Sequence, residues 1–157
     1  NLKENTSNSL DTVDEVVLSQ VKIKQSQIYA LLKNIAGYNQ IYREAGAVHG
    51  CALCKGTEIL HFIEDIGRHN ATDAIAGEMW LKDIKGDDKW FYTTGRLTSE
   101  IVMKVASMDI PVLLSRSGIT HMGLQLAEHL DVTLIARAKG RHFLIYSGKD
   151  NLTYDEA

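Results

Sequence analysis

Between residues 47 and 146, short apolar runs alternate with segments in which apolar residues recur every three or four positions. The runs are typical of buried strands, and the periodic segments are typical of helices that pack on one face. Strands are predicted at 47–53, 59–63, 90–94, 112–115, 132–138 and 143–146, and helices at 25–38, 71–84, 98–108 and 120–129. This alternation predicts an α/β fold with three layers, in which strands joined by helices run parallel. Because turns join the first two strands and the last two directly, the predicted sheet is mixed.

Length and composition set limits on the kind of protein. A chain of 157 residues with 45% apolar residues is long enough for one domain with its own core. The polar segment 1–24 is predicted to be a flexible lead-in, residues 25–150 the folded domain, and residues 151–157 a tail. The net charge of −3 gives no basis for nonspecific nucleic-acid binding. No apolar run reaches the roughly 20 residues of a membrane span, so we expect no membrane contact. No signal peptide is recognised in the sequence, so a cytoplasmic location is the default expectation.

The densest polar segment lies between the predicted strand 59–63 and the helix that follows it. Its candidate binding residues are Glu64, Asp65, Gly67, Arg68, His69, Asn70 and Asp73. Helix N-termini carry free N–H groups and a positive dipole end, which suit phosphate. Asn70 is the predicted N-cap of this helix. Gly77 lies inside the helix, where glycine costs about 1 kcal/mol relative to alanine, so we expect close packing to require it.

Other strand ends carry similar groups. Gly95 and Arg96 follow the strand 90–94, and Ser117 follows the strand 112–115. A basic cluster surrounds the last turn, at Arg137, Ala138, Lys139, Gly140, Arg141 and His142. Arginine forks and backbone N–H groups are the donors that a large anionic ligand needs. We therefore predict an anion site along one rim of the sheet.

Several of these segments together resemble the FdhD family, the accessory sulfurtransferases that mature formate dehydrogenase. The motif from Glu64 to Ala71 is similar to the family's Glu-Asp-Val-Gly-Arg-His-Asn-Ala. The segments 46–49, 94–102, 111–117 and 124–135 resemble further family motifs in the same order, and the turn 137–142 loosely resembles its Phe-Val-Arg-Gly-Gly-Arg turn. The resemblance extends over roughly residues 44–148.

The resemblance implies a cytidine-deaminase-like fold and a homodimer. It implies that the protein binds the molybdenum bis(molybdopterin guanine dinucleotide) cofactor as a client, accepts sulfur from a cysteine desulfurase and serves formate dehydrogenase. It also implies that His49, in the segment similar to the family's Gly-Val-His strand, and the candidate residues named above contribute to cofactor binding. The family carries sulfur on cysteines in a loop upstream of that strand. This chain has no cysteine upstream of residue 44, so no residue is assigned to sulfur transfer and the catalytic residue stays unknown.

Cys51 and Cys54 form a Cys-x-x-Cys pattern, which suggests redox chemistry or sulfur carriage. In a strand, however, residues three apart face opposite sides, and their Cα atoms lie about 10 Å apart at roughly 3.3 Å per residue. A disulfide requires a separation below roughly 7 Å. We therefore expect neither a disulfide nor a persulfide here, and at least one thiol to be a small buried hydrophobe.

Other interpretations of the same residues stay open. Glu64 and Asp65 would serve equally as a helix cap and an ion-pair partner, and His49 and His69 as hydrogen-bonded structural histidines. Arg68 and Arg96 would then pair with neighbouring carboxylates, and the turn 137–142 would be a solvated hairpin. A zinc deaminase is disfavoured, because its His-x-Glu and Pro-Cys-x-x-Cys motifs are absent and no zinc site is expected. Two alternatives remain. One is a nucleotide- or cofactor-binding module without sulfur chemistry, and the other is a protein that only docks partners.

Overall fold

The computed structural model describes residues 17–38, 44 and 48–156. Residues 1–16 of the predicted lead-in 1–24, and residues 45–47 of the region of resemblance, lie outside these ranges. The described helices are α1 (Gln25–Ala36), α2 (Arg68–Leu81), α3 (Ser99–Ser107) and α4 (His121–His129), with a short 3₁₀ turn at Lys149–Asn151. The strands are β1 (Ile23–Lys24), β2 (His49–Lys55), β3 (Glu58–Asp65), β4 (Trp90–Thr93), β5 (Val112–Ser115), β6 (Thr133–Lys139), β7 (His142–Ser147) and β8 (Leu152–Thr153).

Six strands form one mixed sheet in the order β3-β2-β4-β5-β6-β7. β4, β5 and β6 run parallel, because α3 and α4 return the chain between them. β2 pairs antiparallel with β3 and with β4, and β6 pairs antiparallel with β7. The predicted mixed α/β sheet is therefore confirmed, with its parallel strands in the middle and an antiparallel strand at each edge.

Two apolar cores lie on opposite faces of this sheet. Phe91 and Leu113 pack with α2, α3 and α4 on one face. Their neighbours Tyr92 and Leu114 pack with Ile28 and the rest of α1 on the other face. Successive residues of β4 and β5 thus point to opposite sides, as the pleat requires. Both faces of the central strands are covered, which explains their continuous apolar sequence and confirms the three layers.

A small two-stranded sheet joins the end of the predicted lead-in to the predicted tail. β1 pairs parallel with β8, with Ile23 opposite Leu152. Asn151 is buried just before β8, and its Nδ2 donates to Gln20 Oε1 at 3.0 Å and to Thr133 Oγ1 at 3.1 Å. Polar side chains therefore order this region, and hydrophobic periodicity does not detect such contacts.

The beginning of α2 differs from the prediction. Its N-cap is Gly67 rather than Asn70, because Asp65 Oδ1 accepts the Gly67 N–H at 2.8 Å and closes the preceding turn. The expectation of close packing at Gly77 is also wrong, because a Cβ atom placed there would meet nothing within 4 Å. Trp80 is 83% exposed at the end of this helix.

Candidate functional site

The carboxyl ends of β4, β5 and β6 meet at one edge of the sheet, since the three strands are parallel. We call this edge the strand-end rim and define it as residues 93–96, 115–118 and 136–139 with the first turn of α2. Ligands of open α/β sheets bind outside the carboxyl ends of the strands. The rim therefore contains most of the predicted site residues in a position that suits binding.

Arg68 packs on the backbone of Gly95 at the end of β4. A Cβ atom on Gly95 would lie 3.1 Å from Arg68 Cδ and 3.5 Å from His49 Nδ1. His49 Nδ1 in turn lies 3.5 Å from Thr94 Oγ1. The absence of a side chain at Gly95 thus allows an arginine and a histidine, predicted from separate sequence motifs, to meet at one point of the rim.

Buried hydroxyl groups hold the two neighbouring strand ends together. Thr93 Oγ1 accepts the Gly95 N–H at 3.1 Å. Ser115 Oγ donates to the Gly95 carbonyl at 2.6 Å and accepts the Ser117 N–H at 2.9 Å. Thr93 and Ser115 were not predicted as site residues, although a hydroxyl residue at the end of an apolar strand is a usable sequence signal. Their hydrogen bonds fix the positions of the rim loops.

Arg137 makes the second arginine–glycine contact of the rim. A Cβ atom on Gly118 would lie 2.9 Å from Arg137 Nη2, so the guanidinium lies directly against the glycine. Arg137 has a φ of 53°, and its N–H donates to the Ser117 carbonyl at 2.9 Å. Left-handed backbone at a residue other than glycine costs about 1–3 kcal/mol and is concentrated at functional sites. The contacts with Ser117 and Gly118 therefore hold Arg137 beside the end of β5.

The first turn of α2 presents its backbone N–H groups without a side-chain cap. By contrast, Thr98 accepts the Ile101 N–H at the start of α3, and Thr120 accepts the Gly123 N–H at the start of α4. The first N–H groups of a helix have no partner within the helix, and the dipole favours an anion beside them. At α2 these groups belong to the segment that begins with Arg68.

Two buried side-chain atoms near the rim have no hydrogen-bond partner among the described residues. They are Arg68 Nε and Glu64 Oε2. Side chains alternate along β3, where Ile63 packs on the α2 face and Phe62 on the α1 face, so Asp65 lies on the α2 face and Glu64 on the α1 face. The two predicted carboxylates consequently do not form one site. Asp65 belongs to the turn before α2, on the same face as Arg68.

Two other predicted residues connect α2 to α3. His69 Nε2 lies 3.3 Å from Glu100 Oε2, and Asp73 Oδ1 lies 2.9 Å from Lys104 Nζ. Both pairs are partly exposed, so each contributes little to stability. The contact with Glu100 favours the interpretation of His69 as a hydrogen-bonded structural histidine, and Asp73 forms an ion pair with Lys104. Arg96 is exposed at the rim, directly after Gly95.

The predicted basic cluster at the last turn is divided between two places. Arg137 lies on the rim, whereas Arg141 lies over the Tyr29 ring at 4.7 Å and pairs with Glu156. Ala138 is only 1% exposed and packs in the α1-side core, so its side chain does not reach a ligand. Lys139, Gly140 and His142 are exposed at the hairpin between β6 and β7.

Both cysteines are free and buried in β2. Cys51 packs on the α2 face and Cys54 on the α1 face, which confirms the expectation that they point to opposite sides. Burial raises the pKa of the Cys51 thiol, and it raises the pKa of Cys54 to about 12. Both thiols therefore stay protonated at neutral pH, whereas sulfur chemistry needs an accessible thiolate.

Two grooves lie away from the centre of the rim. The larger, of about 900 Å³, lies between α2 and α3 and includes Asp73 and Lys104 in its wall. The smaller, of about 510 Å³, lies between α1 and β7 and includes Arg141 and His142. Among residues 17–38, 44 and 48–156, no cluster of His, Cys, Asp or Glu has the arrangement of a metal site. The described helices are also too short or too polar to span a bilayer.

Comparison of the sequence with known protein families identifies the family of this chain. A family model described as the FdhD/NarQ family matches residues 2–153. The chain belongs to the FdhD/NarQ family. Relatives of this family include the sulfur carrier protein FdhD of Listeria innocua, 34% identical over 135 residues that make up 86% of this chain and 52% of the relative. The sulfur carrier protein FdhD of Bacillus subtilis is 31% identical over 138 residues, which make up 88% of this chain and 53% of the relative.

The fold agrees with that of a solved family structure. The crystal structure of a protein described as a formate dehydrogenase accessory protein from Desulfotalea psychrophila superposes with a TM-score of 0.82 at 27% identity. The match covers 91% of this chain and 62% of that one. The chain thus spans about half the length of the curated FdhD relatives that it matches.

Proposed function

We propose that this chain is the cofactor-binding part of an FdhD-type sulfur carrier and that its strand-end rim binds guanine-nucleotide phosphates. The molybdenum bis(molybdopterin guanine dinucleotide) cofactor is then the client ligand. The whole protein would accept sulfur from a cysteine desulfurase and serve formate dehydrogenase in the cytoplasm, as a homodimer. The observation that carries the proposal is the pair of arginines packed on glycines, Arg68 on Gly95 and Arg137 on Gly118, at adjacent strand ends.

The donors of the rim suit a phosphorylated ligand. Arg68 Nε is buried and has no acceptor among the described residues, so an incoming phosphate oxygen would satisfy it. The uncapped first turn of α2 adds backbone N–H groups, and exposed Arg96 adds a third guanidinium. Guanidinium groups bind phosphate through paired hydrogen bonds, which is stronger and more directional than a single point charge.

The residues present fit the nucleotide part of the cofactor. When bound, the cofactor would supply a metal centre that accepts sulfur, while this chain would hold and orient the phosphates. Arg68, Arg96 and Arg137 would bind the phosphates, and the Thr93 and Ser115 hydrogen bonds would keep the loops that carry these donors in place. The protein contribution derived from these residues is therefore binding and orientation.

The sulfur-carrying step is not assigned to a residue of this chain. Cys51 and Cys54 are both buried and their thiol pKa values are raised, so neither offers the reactive thiolate that persulfide formation needs. This observation favours a second candidate function, a guanine-nucleotide-binding module without sulfur chemistry of its own. Both candidates share the nucleotide site, and persulfide transfer by the longer protein distinguishes them.

Arg96→Ala tests the nucleotide site. Loss of hydrogen bonds from a charged donor costs about 1.5–3 kcal/mol, so we expect GDP affinity to fall about 10- to 150-fold. Isothermal titration calorimetry with GDP measures the change. Lys33→Ala is the matched control, because it removes an exposed positive charge from α1, away from the rim. Equal GDP affinity in wild type and Arg96→Ala would contradict the assignment of Arg96 to the site.

A further inference from the structure

The Cys51 thiol contacts two buried hydroxyl groups beneath the rim. Cys51 lies directly opposite Thr93 in the antiparallel pair of β2 and β4, so both side chains point to the α2 face. Its Sγ donates to Thr93 Oγ1 at 3.5 Å and lies 3.8 Å from Thr72 Oγ1 on α2. All three side chains are buried, so water does not compete for these contacts. The thiol therefore links β4 to α2.

Each threonine continues this link to one partner of an arginine–glycine contact. Thr72 Oγ1 donates to the Arg68 carbonyl at 2.9 Å, at the start of α2. Thr93 Oγ1 accepts the Gly95 N–H at 3.1 Å, at the end of β4. Arg68 and Gly95 are the two residues that pack against each other on the rim. A hydrogen-bond series with the thiol in the middle therefore connects the backbones of these two residues.

The second cysteine of β2 shows how a thiol is buried without such partners. Cys54 packs among apolar side chains on the α1 face, and it makes no side-chain hydrogen bond within residues 17–38, 44 and 48–156. Burial raises the pKa of both thiols, but for Cys51 the hydrogen bonds to Thr93 and Thr72 act in the opposite direction. The two cysteines of one strand thus differ in their polar contacts, and Cys51 is the one connected to the rim.

The weakness of a thiol as a hydrogen-bond donor does not exclude a role in positioning. Binding groups must be held within about 0.5 Å of the productive geometry. Arg68 Nε is buried without an acceptor among the described residues, so no hydrogen bond of this atom fixes the side chain before a ligand arrives. The position of the Arg68 backbone therefore matters, and the hydrogen-bond series supports it from the core.

We propose that Cys51 is a positioning residue of the rim, whose thiol, held between two threonine hydroxyls, keeps the start of α2 in place against the end of β4. The Arg68 guanidinium then meets a phosphate without first having to be ordered. The thiol itself touches no ligand and takes no part in sulfur chemistry. The inference rests on the proposed function for its ligand, whereas the positioning is a property of the ligand-free protein.

Cys51→Val and Cys51→Ser separate this role from packing alone. Valine fills the space of the thiol but donates no hydrogen bond, whereas serine donates one but leaves a smaller side chain. We expect calorimetry to give a GDP affinity about 3- to 10-fold lower in Cys51→Val, the size of one hydrogen bond, and an affinity closer to wild type in Cys51→Ser. A role in packing alone predicts the reverse order and would overturn the inference. Cys54→Val makes the same change on the α1 face and should leave GDP affinity unchanged.

Thr72→Val interrupts the same hydrogen-bond series at its next link. It should also lower GDP affinity about 3- to 10-fold. The double variant with Cys51→Val should lose less than the product of the two single losses, because both changes break one series. A loss equal to that product, or a Cys51→Val protein with wild-type GDP affinity, would overturn the inference and leave the proposed function intact.

Hydrogen exchange of the Gly95 amide, followed by NMR, tests the positioning without a ligand. In Cys51→Val the Thr93 hydroxyl that accepts this N–H loses its own contact, so exchange should be about 3- to 10-fold faster than in wild type. Cys51→Ser should slow the exchange again, and Cys54→Val should leave it unchanged. Equally fast exchange in both valine variants would indicate a general loss of stability and overturn the inference. A wild-type protein that does not bind GDP would contradict the proposed function, and the exchange rates would then decide the inference alone.

Discussion

Gly95→Ala tests whether the packing of Arg68 on the rim backbone is what makes the site. The new Cβ atom would lie 3.1 Å from Arg68 Cδ and 3.3 Å from Arg68 Cβ. Ordinary contacts between carbon atoms are about 3.5–4.0 Å, so the arginine stem must move by about 0.4 Å or more. A stem this flexible can move without unfolding the protein, and overpacking of this kind costs about 1 kcal/mol at the low end of its range.

The movement should be felt more strongly in binding than in stability. Hydrogen bonds from a guanidinium are worth about 1.5–3 kcal/mol, and displacement loses only part of that. We expect Gly95→Ala to weaken GDP binding about 5- to 20-fold, between wild type and Arg68→Ala. Calorimetry with GDP gives the affinities, and thermal unfolding of the same samples shows whether the fold is intact. A folded Gly95→Ala protein with wild-type affinity would refute the role of the Arg68–Gly95 contact.

Three further predictions concern stability and the thiols. Gly77→Ala should stabilise the chain by about 0.5–1 kcal/mol and raise Tm by about 2–4 °C, because the added Cβ meets nothing; a lower Tm in calorimetric scans would contradict this. Cys51 and Cys54 should resist iodoacetamide at pH 8 in the native state and react in guanidinium chloride, as mass spectrometry can show. Burial raises the pKa of Cys54 to about 12, so the folded protein holds this proton more tightly than the unfolded chain does. The Cys54 thiol should therefore contribute fully to the free energy of unfolding below about pH 9, and this contribution should be lost as the pH rises towards 12. A denaturation midpoint that stays constant between these pH values would contradict the prediction.

The sequence predicted the sheet well where burial alone determines structure. β4 and β5 have continuous apolar runs because both their faces are covered, and α3, the helix between them, buries one apolar face. The β1–β8 pair was not predicted, because its strands have two residues each and its order depends on polar contacts of Asn151. A strand of two residues is too short to show the alternation of apolar and polar residues that indicates a strand in a sequence.

The sequence predicted which types of residue form the candidate site better than it predicted how they are arranged. Gly95 was predicted as a rim residue, and the contact that requires it, a packed arginine stem, is visible only in three dimensions. The N-cap of α2 was misassigned to Asn70. Asp65 Oδ1 accepts the Gly67 N–H in the turn before the helix, and the sequence pattern of such a turn does not differ from that of a helix capped by Asn70. The sequence motif also predicted that Arg141 and Arg137 belong to one cluster, although Arg137 lies against Gly118 and Arg141 lies over the Tyr29 ring.

The separation of Arg137 from Arg141 follows from the irregular pairing of β6 with β7. The register shifts between Ala136 and Lys139, and Arg137 takes a φ of 53° at that point. Arg141 lies beyond the last residue of β6, in the turn before β7, so the alternation of side chains along β6 does not set its direction. Arg137 therefore lies against Gly118 on the rim, whereas Arg141 lies over Tyr29 of α1. One short hairpin thereby directs its two guanidinium groups to different places. The left-handed backbone at Arg137 is costly, and it accompanies the contact of this guanidinium with Gly118.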